Sequence, residues 1–168
     1  MNESSELRIE SGWRPGVIGR ITEMHARYYA LDHAFGSDFE VKVAEGLAAF
    51  VPRLAHARNG LWCAWIGARL LGSIVIDGQD QDDGAAHLRY FIVDDGTRGR
   101  GVGRILLRAA LRFVDEQGFE RTRLWTFEGL NAARRLYEQQ GFQLVRSWRG
   151  DQWGREVTEQ VFERAKSP

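Results

Sequence analysis

The stretch Phe91-Ile92-Val93-Asp94-Asp95-Gly96-Thr97-Arg98-Gly99-Arg100-Gly101-Val102-Gly103-Arg104-Ile105-Leu106-Leu107 decides how this chain is read. It starts as an apolar strand, passes through an Arg/Gly-rich turn and ends in the first turns of an amphipathic helix. Gly99, Gly101 and Gly103 let the backbone approach a bound group closely and take φ values that other residues resist. The helix that follows aims its unpaired N–H groups and positive dipole end at the turn. A strand, a Gly-rich turn and a helix N-terminus together form a diphosphate cradle, and Arg98, Arg100 and Arg104 add matching charge.

Two signatures with this outline fail. A Walker-A loop needs Lys-Ser/Thr after its last glycine, whereas Arg104 and Ile105 follow Gly103. A dinucleotide fingerprint starting at Gly99 needs a third glycine at the position of Arg104. What remains is Arg/Gln-x-x-Gly-x-Gly/Ala, met by Arg98, Gly101 and Gly103, or a Gly-rich turn that holds no ligand.

Outward from this stretch, 168 residues with 43% apolar and 27% charged side chains suit one globular α/β domain, 1–168, with a polar arm over 1–6. Net charge is zero, which removes the overall electrostatic case for binding nucleic acid or a membrane. Lys42 and Lys166 are the only lysines. Cys63 stands alone in an apolar run and reads as a core residue, so neither an intrachain disulfide nor a cysteine metal site is available. No metal is expected. The N-terminus lacks a signal-like apolar run and no stretch is long enough to span a bilayer, so a cytoplasmic location is expected.

The order of elements is β-α-α-β-β-β-α-β-α-β-β. A first strand at 7–10 precedes helices at 18–29 and from 38 onward, the second shortened near Pro52. A hairpin of 61–66 and 70–76 leads through an acidic loop, whose aspartates read as a solvated turn, to a strand at 86–93. The helix after the opening turn runs to 116, with Ile105, Leu106, Ala109 and Phe113 facing one way and Gly118 as C-cap. Strands at 121–127, 144–148 and 156–162 and a short helix at 131–140 complete the chain.

A second constellation is Leu130-Asn131-Ala132-Ala133-Arg134-Arg135-Leu136-Tyr137-Glu138-Gln139-Gln140-Gly141-Phe142. With Arg98-x-x-Gly101-x-Gly103 upstream, it resembles the paired signatures of the GNAT superfamily of N-acetyltransferases, the second being Asn-x-x-Ala-x-x-Leu-Tyr-x-x-x-Gly-Phe. Ala133, Leu136, Tyr137, Gly141 and Phe142 match in register, while asparagine falls one place late, at Asn131. Leu88 to Val93 and Leu124-Trp125-Thr126 are also similar to acetyltransferase domains fused to MarR-type regulators, here expected as a free-standing relative.

The resemblance implies a mixed, mostly antiparallel sheet of six to seven strands flanked by about four helices, with a splayed parallel pair, the fourth and fifth strands. It implies acetyl-CoA as cosubstrate, a diphosphate held between Arg98 and Arg104 (Gly99, Arg100, Gly101, Val102 and Gly103 included), and pantetheine on the backbone of Ile92 and Val93 beside Ala133. Tyr137 matches the usual general acid, although it also belongs to an apolar helix face. Asn131 is either a pantetheine ligand or the N-cap of its helix. His87 and Glu128 are the candidates for a base, each equally readable as a surface residue. The acceptor implied is a small amine, an amino acid or a protein lysine or N-terminus. Related domains often form homodimers. A GNAT-like module that senses acyl-CoA without catalysis is the alternative.

Overall fold

The computed structural model describes residues 6–166, so residues 1–5 of the expected arm lie outside it. One sheet takes seven strands in the order β1-β2-β3-β4-β5-β7-β6: β1 (Leu7–Ser11), β2 (Gly60–Ile66), β3 (Arg69–Asp77), β4 (Ala86–Val93), β5 (Arg121–Phe127), β6 (Gln143–Gly150) and β7 (Val157–Ala165). Every pairing is antiparallel except β4 with β5. Four helices cover it: α1 (Val17–His33), α2 (Ser37–Phe50), α3 (Val102–Glu116) and α4 (Asn131–Gln139). No helix among the described residues is long and apolar enough to cross a membrane.

Strand β3, inside the sheet between β2 and β4, is buried from Leu70 to Asp77, which is why its sequence is a nearly continuous apolar run rather than an alternation. Ile74 and Ile76 pack under α3 and α4 with Leu106, Leu107, Ala110 and Phe142. Val75, one register position away, packs under α1 and α2 with Ile21, Val43, Leu47 and Phe50. Each such side chain contributes about 1.5–3 kcal/mol on burial. Cys63 lies in the α1/α2 layer, and burial pushes its thiol up to about 12.

Several boundaries differ from the sequence reading. Helix α1 continues to His33, because Tyr28, Tyr29 and His33 pack on one another across its last turn; only three residues then separate it from α2. Pro52 ends α2 in a 3-10 turn, Val51–Arg53. On α3 the buried face is Val102, Leu106, Leu107, Ala110, Leu111 and Val114, and Ile105 is exposed. The apolar positions i, i+4, i+8 and i+12 from Val102 define the true stripe; the expected set was rotated by one residue. Gly118 does close the helix, at φ 74°, with Phe119 N–H donating to Val114 O.

The irregularity that matters most is in β4. Between the pairs Ser73↔Ile92 and Val75↔Arg89 the register shifts by one residue on β4. Tyr90 occupies the bulge at φ 49°, a left-handed conformation that side chains seldom adopt, and Ser73 Oγ donates to Tyr90 O at 2.8 Å. The bulge bends β4 away from β5, whose parallel pairing is confined to Ala86↔Thr122 and His87↔Arg123. Gly72 allows this bend. A Cβ there would meet Ile92 O at 2.9 Å and Leu106 Cδ1 at 3.0 Å. Gly72→Ala is therefore expected to destabilise the fold by about 1–3 kcal/mol through overpacking. A urea denaturation midpoint indistinguishable from that of the parent would contradict the constraint.

Candidate functional site

Where β4 and β5 part, a cleft of about 1020 Å³ passes through the sheet. Its walls come from α3 and α4 on one face and from α1 and α2 on the other. Beyond His87 the edge of β4 that faces β5 has no strand partner, so the backbone of residues 88–93 is open to a ligand on that side.

The Arg/Gly turn lines the α3 side. Gly99 and Gly101 take φ 79° and 78°, where a side chain would be strained, and Gly101 is the N-cap of α3. The first intrahelical bond is from Ile105 N–H to Gly101 O, which leaves the N–H groups of Val102, Gly103 and Arg104 without helical partners. At Gly103 the nearest atoms to an added Cβ are Leu136 Cδ1 and Phe91 Cζ, both at 3.4 Å, so alanine is accommodated where the signature allows Gly or Ala. Arg98 and Arg104 line the cleft, whereas the expected Arg100 does not. Arg98 stacks on the Tyr28 ring at 3.9 Å and donates from Nε to Val93 O at 3.3 Å. Arg135, on α4, also lines the cleft. It was missed because it fills an unspecified place in the second signature.

The turn is anchored by a residue that sequence reading passed over. Asp94 Oδ2 accepts from Arg20 on α1 at 2.5 Å and from Arg69 on β3 at 2.8 Å, and its Oδ1 accepts the Gly96 N–H. Its own N–H donates to Leu71 O. Desolvation works against the Asp94 carboxylate, but Arg69, the Gly96 N–H and Arg20 hold its pKa below the usual range.

Tyr137 is buried on α4 and lines the cleft against Phe91, with Phe142 and Phe162 behind it. Burial, with Tyr29 nearby, pushes its hydroxyl pKa well above the phenol range. Ala133 and Asn131 line the same wall. Asn131 is the first residue of α4, and Leu130 is the N-cap with no side-chain capping bond, so the capping role expected for Asn131 is not realised. Ile92 and Val93 line the β4 side.

His87 lines the cleft at the last β4–β5 pair, with Nδ1 2.5 Å from Asp80 Oδ2 and its ring edge-on to Trp125 at 4.9 Å. Desolvation lowers its pKa despite the opposing pull of Asp80, so the ring is neutral at pH 7 with Nε2 as its free lone pair. Glu128 is exposed and faces a separate groove on the far side of Phe127, outside the cleft. The acidic loop is not a solvated turn. Fully buried Asp77 pairs with Arg53, Asp80 takes His87 and Arg89, and Asp83 takes Arg121 and Arg123. Among the described residues no group of three or more His, Cys, Asp or Glu could hold a metal ion.

This arrangement, a Gly-rich turn at a helix N-terminus beside an unpaired strand edge, agrees with comparison to known proteins. The model of the Acetyltransferase (GNAT) family matches residues 21–142, and the chain belongs to that family. No curated protein sequence matches it. Among solved structures, yncA of Salmonella typhimurium, solved with its cofactor acetyl-CoA, superposes with a TM-score of 0.77 at 15% identity, covering 98% of this chain and 96% of that one. A GNAT-family acetyltransferase from Streptococcus pneumoniae gives 0.75 at 17% identity, covering 96% and 100%. Ribosomal-protein-alanine N-acetyltransferase from Brucella melitensis gives 0.75 at 14%, covering 94% and 99%. At such identities the likeness concerns the fold.

The Asp94 anchor has a measurable pH signature. A carboxylate whose folded pKa is lowered stabilises the fold above its unfolded value of about 3.9, and that stabilisation disappears as pH falls through the folded pKa. Asp94→Asn is expected to cost about 1–2 kcal/mol at pH 7 and much less at pH 3, read from denaturation midpoints at the two pH values. An equal cost at both would show that the charge is not what matters.

Proposed function

We propose that this protein transfers an acetyl group from acetyl-CoA to a primary amine, with both substrates held together in the cleft between β4 and β5. The observation that carries this reading is one continuous cleft, with the Arg/Gly cradle and α3 N-terminus on one face of the sheet and with Tyr137 and His87 in its lining. The residues present fit coenzyme A. Backbone N–H groups of Val102, Gly103 and Arg104 suit its diphosphate, with Arg98, Arg104 and Arg135 as cationic partners. The open edge of β4 suits the amides of pantetheine, which would add to it much as a strand does. In this reading Arg98 exchanges its bond to Val93 O for a phosphate, which frees that carbonyl for the pantetheine arm.

Acetyl-CoA supplies an activated thioester carbonyl. The amine nitrogen bonds to the carbonyl carbon as the carbon–sulfur bond breaks, giving an amide and a free thiol, with one proton lost from nitrogen and one gained by sulfur. Holding amine and thioester in line contributes much of the acceleration. His87 accepts the nitrogen's proton at Nε2, and Asp80 stabilises the imidazolium that forms.

Tyr137 serves the leaving sulfur, but not by a favourable proton transfer. A phenol has a pKa of about 10 and a thiol about 8.5, so handing the proton over completely costs about 2 kcal/mol in water. Burial raises the tyrosine further, so its hydroxyl keeps its proton and donates a strong hydrogen bond to the developing thiolate. The proton that finally reaches sulfur comes from solvent, and the proton taken up by His87 returns to solvent.

Thermal-shift titration should show stabilisation by acetyl-CoA and by CoA, but not by ATP or NAD. Thiol release on adding an amine library then tests turnover. Binding without release with every amine would overturn the catalytic reading in favour of an acyl-CoA sensor. Tyr137→Phe should retain acetyl-CoA binding and lower kcat by roughly 10²–10³-fold, the usual worth of one hydrogen-bond donor to a developing anion; undiminished turnover removes Tyr137 from the chemistry. Because desolvation lowers the His87 pKa, kcat at saturating amine should stay level through neutral pH and fall only below about 6.5. A His87→Gln variant that keeps the same acid limb and rate would exclude His87 as the base.

A further inference from the structure

The charges along the cleft are of one sign. Its lining contains Lys42, Arg89, Arg98, Arg104 and Arg135 and, among the described residues, no aspartate or glutamate. Two carboxylates beside β4 are already engaged: Asp77 by Arg53, and Asp80 by His87 and Arg89. On the α3/α4 face, Arg98, Arg104 and Arg135 are accounted for by phosphates in the reading above. On the α1/α2 face Arg89 is neutralised by Asp77 and Asp80, and its Nη2 donates to the Tyr90 hydroxyl. That leaves Lys42.

Lys42 projects from exposed positions of α2 and donates to the backbone carbonyl of Gln152 at 2.5 Å, across the β6–β7 connection. It makes no ion pair among the described residues, and an ammonium carries three donors, so two remain for a ligand. It is one of only two lysines in a chain that otherwise uses arginine for positive charge. The wall beside it is apolar and aromatic: Phe39 and Val43 from α2, Phe127 from the end of β5, and Trp153, whose ring lies 5.7 Å from that of Phe127. A site with a cation outside any ion pair, aromatic walls and no carboxylate in its lining disfavours polyamines and lysine-rich peptides and attracts an amine that also bears an anion.

We propose that Lys42 determines acceptor specificity by binding the carboxylate of a small α-amino acid with an apolar side chain, whose amino group is then acetylated. This rests on the acetyltransferase reading and narrows its acceptor. The carboxylate accepts hydrogen bonds from Lys42, and the apolar side chain lies against Phe39, Phe127 and Trp153. The amino nitrogen is directed toward the parting of β4 and β5, where it loses its proton and forms the amide as the thioester carbon–sulfur bond breaks.

The test compares each of the common amino acids with its carboxamide as acceptor, alongside spermidine and a lysine-rich peptide, using thiol release and the mass of the product. The best acceptor should be an apolar free amino acid, preferred over its amide by about tenfold or more in kcat/KM, as expected when a charged partner is removed. Lys42→Met should abolish that preference by raising KM for the amino acid with kcat nearly unchanged, while acetyl-CoA stabilises the variant as it does the parent. Added salt should weaken the preference, because the ion pair lies at an exposed mouth. Equal use of amides, preference for spermidine or the peptide, no transfer to any free amino acid, or a preference that survives Lys42→Met would overturn the proposal. Failure of acetyl-CoA to bind the parent would instead overturn the acetyltransferase reading beneath it.

Discussion

The structure depends on one bend in β4. A seven-stranded sheet with every neighbour paired would be a closed wall, and this one opens because an extra residue in β4 throws Tyr90 into a left-handed conformation. The strain is held by local contacts, chiefly the Ser73 hydroxyl on Tyr90 O and the close approach that Gly72 permits. The consequence is chemical. Half of a buried strand keeps its backbone polar groups open to a substrate, and both faces of the sheet gain access to one point.

What lies on the two faces differs in kind. The α3 side offers backbone N–H groups, glycines in left-handed conformations and arginines, a set suited to a multiply charged, flexible phosphate ligand. The α1/α2 side is aromatic, with Lys42 as a cation that makes no ion pair among the described residues. Buried Tyr137 and desolvated His87 line the passage between them, the phenol pushed above its ordinary range and the imidazole held below its own. Burial thus shifts the two groups in opposite directions, which suits the opposite proton roles proposed for them.

The parts legible in the sequence were those written locally. The strand, glycine and helix pattern of residues 91–107 and the Ala133-Leu136-Tyr137-Gly141-Phe142 register are short-range, and the structure places both segments on the cleft. The apolar runs 61–66 and 70–76 likewise read as a hairpin, and the structure pairs them antiparallel as β2 and β3. The rest depended on contacts distant in sequence. Asp94 is an anchor only because Arg20, 74 residues away, reaches it. The acidic loop looked solvated until Arg53, Arg121 and Arg123 were brought to it by the fold. Lys42 acquires meaning only beside Gln152, 110 residues on. The bulge at Tyr90 has no glycine or proline to mark it.

The central claim is that the opened β4 edge and the α3 N-terminus together receive coenzyme A. A crystal structure of the protein soaked with coenzyme A tests it most directly. The account predicts the diphosphate on the N–H groups of Val102 to Arg104, the pantetheine amides on the backbone of β4, and the thiol close to the Tyr137 hydroxyl. A coenzyme bound elsewhere, or a β4 edge left untouched beside a filled cradle, would contradict it.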